Sequence, residues 1–161
     1  MLTTNTTEAD RTTCTGGLPP GLPTISVGTD LVLIAHVRES LDTFGDRYLR
    51  RVYTEAEIDA CREHDGRLSA SRLAARFAAK EATVKALRTD AGVSYLDIEV
   101  VNDRSGAPTL TLSGSLKRRA DESGTAPASI SLAHEGDYAM AVCLFVRSTP
   151  VDGTDIGGVR A

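Results

Sequence analysis

The sequence predicts an α+β domain, an antiparallel sheet packed against one long helix and several shorter ones. Three observations carry this. From about Ser69 to Arg88 there is no Gly or Pro, and Leu73, Phe77, Val84 and Leu87 recur at helical spacing. After Gly92 the pattern changes to period two, with Leu96, Ile98 and Val100 alternating with Asp97 and Glu99. Two further β-rich runs, Ala128 to Leu132 and Tyr138 to Val146, close the domain.

Taken in order, residues 1–23 are rich in Thr, Gly and Pro and show no periodicity, so they are expected to form a flexible leader. Residues 148–161 are expected to form a flexible tail, which leaves 24–147 as the domain. Ile25 to Ile34 reads as a strand that runs into a helix through Arg38 to Phe44. Thr54 to His64 reads as a second helix, because Thr54 precedes Glu57 at capping-box spacing. On the long helix, Arg and Lys are expected on faces away from the apolar one. The turn residues Asn102-Asp103 and Ser105-Gly106 make the period-two segment a hairpin returning through Thr109 to Leu112. Ser115 to Glu122 is a short helix, and the last two strands meet around a turn at His134 to Asp137.

At 161 residues and 41% hydrophobic content the chain supports one core, and with aromatics at 4% that core must be mostly aliphatic. The scarcity of aromatics and the net charge of -4 argue against nucleic-acid binding, which relies on base stacking and on a surplus of Lys and Arg. No run approaches the length needed to cross a bilayer, and no signal-peptide pattern opens the chain, so neither membrane attachment nor export is expected. Cys14, Cys61 and Cys143 are odd in number and far apart, which suggests neither a disulfide framework nor a zinc site and fits a reducing cytoplasm.

Candidate site residues stand where charge conflicts with the apolar pattern. Asp30 shares a strand face with Gly28, Val32 and Ile34, where an unpaired carboxylate would cost several kcal/mol. It either caps the following helix or holds a metal. Glu81 has Phe77 four residues before it and Lys85 four after, on the apolar face of the long helix, either as an ordinary Glu-to-Lys pair or as part of a site. Together Asp30 and Glu81 could supply the carboxylate pair that Mg²⁺ takes alongside water and phosphate oxygens. Lys85, Arg76 and Lys80 nearby suit a phosphate-bearing ligand. His134, placed in a turn, is either a ligand contact or merely solvated. Arg47, Arg50 and Arg51 share one helical face, as a solvated stripe or a dock for an acidic partner.

The order of motifs then becomes specific. Val27-Gly28-Thr29-Asp30-Leu31-Val32 is followed by Arg76-Phe77-Ala78-Ala79-Lys80-Glu81-Ala82 with Lys85-Ala86-Leu87, and then by Asp97-Ile98-Glu99-Val100. Gly45-Asp46-Arg47 leading to Arg50-Arg51-Val52, Asn102-Asp103 with Gly106 and Pro108, and Ser129-Ile130-Ser131 with His134-Glu135 and Tyr138-Ala139 complete the series. Over about residues 25 to 146 the chain resembles the holo-acyl-carrier-protein synthase family, the small trimeric type of 4′-phosphopantetheinyl transferase.

The resemblance implies the 4′-phosphopantetheinyl transferase fold, a homotrimer with active sites between subunits, and transfer of the phosphopantetheine arm of coenzyme A to a serine of an acyl carrier protein. By the same resemblance Asp30 and Glu81 would bind Mg²⁺, and Lys85 would contact the coenzyme A pyrophosphate, these three forming the catalytic set. Arg76 and His134 would help hold coenzyme A, and Pro108 would lie near its adenine. Arg38, Arg47, Arg50 and Arg51 would receive the acidic helix of a fatty-acid or polyketide carrier. The proton acceptor for the serine is left open among Glu81, another carboxylate and a metal-bound water.

Three departures from the family pattern stand out. Leu33 occupies a position where the family commonly has Glu, and His36 one where it commonly has Arg. Arg88-Thr89-Asp90-Ala91-Gly92 is shorter than the usual loop and lacks its early glycines. They leave room for an alternative, a relative that binds coenzyme A or a carrier without transferring the arm.

Overall fold

Alternation of inward and outward residues from Thr24 to Leu33 forms strand β1, and the chain then turns directly into helix α1, Ile34–Phe44. The computed structural model describes residues 23–89 and 92–147, so the expected leader, except Pro23, and the expected tail lie outside the described residues, as do Asp90 and Ala91 of the shortened loop. Gly45 ends α1 and starts α2, Asp46–Val52, which is followed by α3, Glu55–Ala60, and the long α4, Ala70–Ala86. A single 3₁₀ turn, Tyr95–Asp97, leads into β2, Ile98–Asn102, paired with β3, Pro108–Leu112. Helix α5, Gly114–Glu122, precedes β4, Thr125–Glu135, and β5, Tyr138–Arg147.

Two antiparallel sheets result, one of order β1-β5-β4 and one of β2-β3. The expected α+β architecture is therefore present. Helix α4 lies across the inner face of the larger sheet, and the core forms between Ala74, Ala78 and Ala82 on the helix and Ala139, Ala141 and Phe145 on β5.

Alanines let a helix approach a sheet closely, and Gly28 takes that approach to its limit. A Cβ at Gly28 would lie 1.8 Å from the Ala82 carbonyl oxygen and 2.7 Å from the Ala86 amide nitrogen, both backbone atoms that cannot swing away. Glycine is thus required for β1 to lie against α4.

Four local expectations are corrected. The second helix stops at Ala60 rather than His64, because the Asp65-Gly66 turn brings Arg67 back to bond Glu63, and Ser69 N–H then donates to the Cys61 carbonyl. The hairpin begins at Ile98 rather than Leu96, since the Ser94 hydroxyl accepts from Leu96 N–H and closes the 3₁₀ turn instead. His134 and Glu135 pair with Ala139 and Tyr138, so His134 lies on β4. The turn is only Gly136-Asp137, with Gly136 at φ 56°, as a tight two-residue hairpin requires.

The fourth correction concerns α4, where Arg76 and Lys80 are buried rather than on outer faces. Lys80 is enclosed with Glu57, Nζ to Oε2 2.7 Å, and its remaining donors reach the Tyr95 carbonyl at 2.8 Å and the Ile98 carbonyl. Glu57 in turn accepts from the Thr54 and Val100 amides at 2.8 and 3.0 Å. Burial pushes the Glu57 carboxyl up and the Lys80 ammonium down, and each is opposed by the other's charge and hydrogen bonds. The capping box expected at Thr54 and Glu57 is formed, and its Glu also serves as the counter-ion of α4.

Lys80→Met would leave the Glu57 charge buried and unpaired, and is expected to cost about 3–5 kcal/mol in urea unfolding at neutral pH. Gly28→Ala is expected to destabilise by about 1–3 kcal/mol or more in the same measurement, because helix and strand must separate.

Candidate active site

The close seat of β1 on α4 sets Asp30, two residues beyond Gly28 on the same inward face, beside the C-terminal turns of the helix. Lys85 Nζ donates to Asp30 Oδ1 at 2.7 Å and to the Thr29 carbonyl at 3.2 Å. The carboxylate is 15% exposed and the lysine 52%, so the pair stands near the surface rather than in the core. Asp30 does not cap α1, whose N-cap is Leu33 without a side-chain bond. One of the two readings of Asp30 is thereby removed.

Glu81 lies one turn before Lys85 on α4, and its Oε1 accepts a hydrogen bond from the Tyr95 hydroxyl. Asp30 and Glu81 line one cleft of about 600 Å³ together with Tyr48, Phe77 and Tyr138. Leu33 and His36, two of the departures noted in the sequence, also line it. The Tyr48 and Tyr95 hydroxyls have their pKa values raised by desolvation, which keeps them protonated donors.

Two carboxylates facing one cleft form a hard oxygen donor set of the kind Mg²⁺ accepts, with space for water and phosphate oxygens to complete the shell. Asp30 already satisfies a cationic group, the Lys85 ammonium. The residues present therefore fit a divalent cation bound jointly with a phosphate ligand. Among the described residues there is no cluster of three or more His, Cys, Asp or Glu that would hold a metal by itself.

The other predicted residues are dispersed. Arg76 is tied to the small sheet, its Nε donating to the Val100 carbonyl at 3.1 Å and its terminal nitrogen to Asn102 Oδ1 at 3.2 Å. Asn102 is the register partner of Pro108, so Arg76 and Pro108 belong to one region at the β2–β3 hairpin. His134 is exposed on β4, the strand beyond β5 from Asp30. Arg47, Arg50 and Arg51 line a second cleft of about 810 Å³ with residues 92–96, whereas Arg38 is exposed on α1 and is not among its lining residues.

Tyr95 and the buried Glu57 went unnoticed as site components in the sequence. Nothing in the pattern singles out Tyr95, whose bond to Glu81 depends on the 3₁₀ turn. Glu57 gave a signal, the capping box, which accounts for only part of its bonding. Cys61 and Cys143 are buried free thiols, and burial pushes the Cys61 thiol up to about 11, so neither is a ready nucleophile.

Comparison with known proteins identifies the family. The model of the 4′-phosphopantetheinyl transferase superfamily matches residues 26–143. A holo-[acyl-carrier-protein] synthase of Paramagnetospirillum magneticum is 44% identical over 124 residues, 74% of this chain and 94% of the relative. Among solved structures, an ACPS–CoA complex from Chronobacterium ammoniagenes aligns with TM-score 0.67 at 32% identity, covering 78% of this chain and 98% of that one. The Helicobacter pylori holo-[acyl-carrier-protein] synthase in complex with coenzyme A aligns with TM-score 0.63 at 33% identity, over 73% and 96% of the two chains. With the family match spanning β1 to β5 and both carboxylate-bearing elements, the chain belongs to the 4′-phosphopantetheinyl transferase superfamily.

Proposed function

We propose that this chain transfers the 4′-phosphopantetheine arm of coenzyme A to a serine of an apo acyl carrier protein, giving holo carrier and 3′,5′-ADP, with Mg²⁺ held by Asp30 and Glu81. The observation that carries the reading is the convergence of Asp30 and Glu81, from two elements, at one cleft, with Lys85 bonded to Asp30, in a fold shared with coenzyme A-bound relatives.

The serine hydroxyl oxygen attacks the β-phosphorus of coenzyme A, a new P–O bond forms, the P–O bond to 3′,5′-ADP breaks, and the serine proton passes to a carboxylate or water at the site. Negative charge builds on the phosphate oxygens, and Mg²⁺ would neutralise part of it when bound. Lys85 contributes positive charge from the protein: half exposed and bonded to Asp30, it is free to turn towards a phosphate oxygen bound beside that carboxylate. Arg76 braces the hairpin bearing Pro108 and so supports the adenine end of coenzyme A, with His134 as a further contact.

Arg47, Arg50 and Arg51 give the second cleft the charge that an acidic carrier helix would seek, and Arg38 extends the basic surface on α1. An interface between copies, as in the homotrimer that the family resemblance implies, is supported by the outer face of the large sheet. Val27 and Leu31 on β1 are 55% and 61% exposed, and their register partners Leu144 and Met140 continue an apolar surface that one subunit leaves uncovered. No helix among the described residues is long and apolar enough to cross a membrane. A cytoplasmic location follows from the reading, since coenzyme A and carriers meet there and the free thiols suit it.

Incubation of an apo fatty-acid carrier with the protein, coenzyme A and Mg²⁺ is expected to add the mass of one phosphopantetheine, read by intact-mass spectrometry. Glu81→Gln should slow the gain by about a hundredfold or more, and a chelator should abolish it. No gain on fatty-acid, polyketide or peptide carriers would contradict transfer and leave a binding protein in its place.

A further inference from the structure

Tyr95 is gripped at both ends by adjacent residues of α4. Its backbone carbonyl accepts from Lys80 Nζ at 2.8 Å, and its hydroxyl donates to Glu81 Oε1. Lys80 cannot yield, because it is fully enclosed and bonded as well to Glu57 and the Ile98 carbonyl. The Tyr95 ring packs edge-on against Phe77, centroids 5.6 Å apart at 61°, and Phe77 is one turn before Glu81 on the same helix. Backbone, ring and hydroxyl of one residue are therefore each referenced to α4. The bond engages only one oxygen of Glu81 and leaves the other for a cation.

A glutamate on a helix surface ordinarily samples several rotamers, and fixing one in advance spares that cost when a ligand binds. We infer that Tyr95 is a positioning residue for the transfer reaction, its hydroxyl orienting the Glu81 carboxylate for the divalent cation while the Lys80–Glu57 pair holds Tyr95 in place. The inference rests on the assignment of Asp30 and Glu81 as cation ligands. Hydrogen bonds to charged groups are the stronger kind, so loss of this one should be measurable.

The test is Tyr95→Phe, which keeps the ring on Phe77 and the carbonyl on Lys80. Mn²⁺ binding in the presence of coenzyme A, followed by the paramagnetic resonance of free Mn²⁺, is expected to weaken about fivefold or more. The Mg²⁺ concentration for half-maximal transfer should rise in parallel, with the KM for coenzyme A at saturating Mg²⁺ and the melting temperature little changed. In a Glu81→Gln background the same substitution should have no further effect on Mn²⁺ affinity, a coupling that a merely structural tyrosine would not show. Unaltered Mn²⁺ affinity and Mg²⁺ dependence in Tyr95→Phe would overturn the inference, as would equal effects in both backgrounds. A wild-type chain that neither binds Mn²⁺ nor transfers the arm would instead overturn the functional reading beneath it, and the wild-type control separates the two failures.

Discussion

Everything at the candidate site depends on how closely β1 can lie on α4, and the backbone contact at Gly28 sets that limit. With 1.8 Å between an ideal Cβ and the Ala82 carbonyl, no side chain can stand there without parting the two elements. Asp30 comes from the strand, Glu81 and Lys85 from the helix, and neither element alone holds the charge pattern that phosphoryl chemistry needs. The alanines of α4 extend the same economy of volume along the helix, so a mostly aliphatic core, with Tyr53 and Phe145 buried in it, closes tightly.

Beneath the cleft a polar interior performs a second fixing. Glu57 from α3, Lys80 from α4 and the carbonyls of Tyr95 and Ile98 form a satisfied buried network, which locks the small sheet and the 3₁₀ turn to the helix that carries Glu81. Such a pair is weak as a source of stability, since desolvation offsets attraction, yet its geometry is unforgiving once formed. The network thereby relates the basic cleft, lined in part by the 3₁₀ turn, to the carboxylates of the first cleft.

Where local chemistry decided the structure, the sequence was readable. The long helix, the capping box at Thr54 and Glu57, the period-two hairpin and the Gly-x-Asp strand are each written in nearby residues, and Asp30, Glu81 and Lys85 stand out as charges placed on apolar faces, although the bond between Asp30 and Lys85 is seen only in the fold. Tertiary contacts hid the rest. Lys80 looks like any helix-surface lysine until Glu57, far off in sequence, meets it inside. His134 reads as a loop residue because its strand continues through polar positions to the Gly136 turn. Tyr95 carries no signal at all, since a lone tyrosine after Gly92 acquires meaning only when the turn aims it at Glu81.

The measurement that tests the account most directly is a crystal structure of the protein with coenzyme A and Mn²⁺, located by anomalous scattering. The expected result is a Mn²⁺ peak in contact with the carboxylates of both Asp30 and Glu81, with Lys85 turned from Asp30 towards a phosphate oxygen. A peak that touches neither carboxylate, or coenzyme A bound with its pyrophosphate away from this cleft, would contradict the claim that the meeting of β1 and α4 builds the site of transfer.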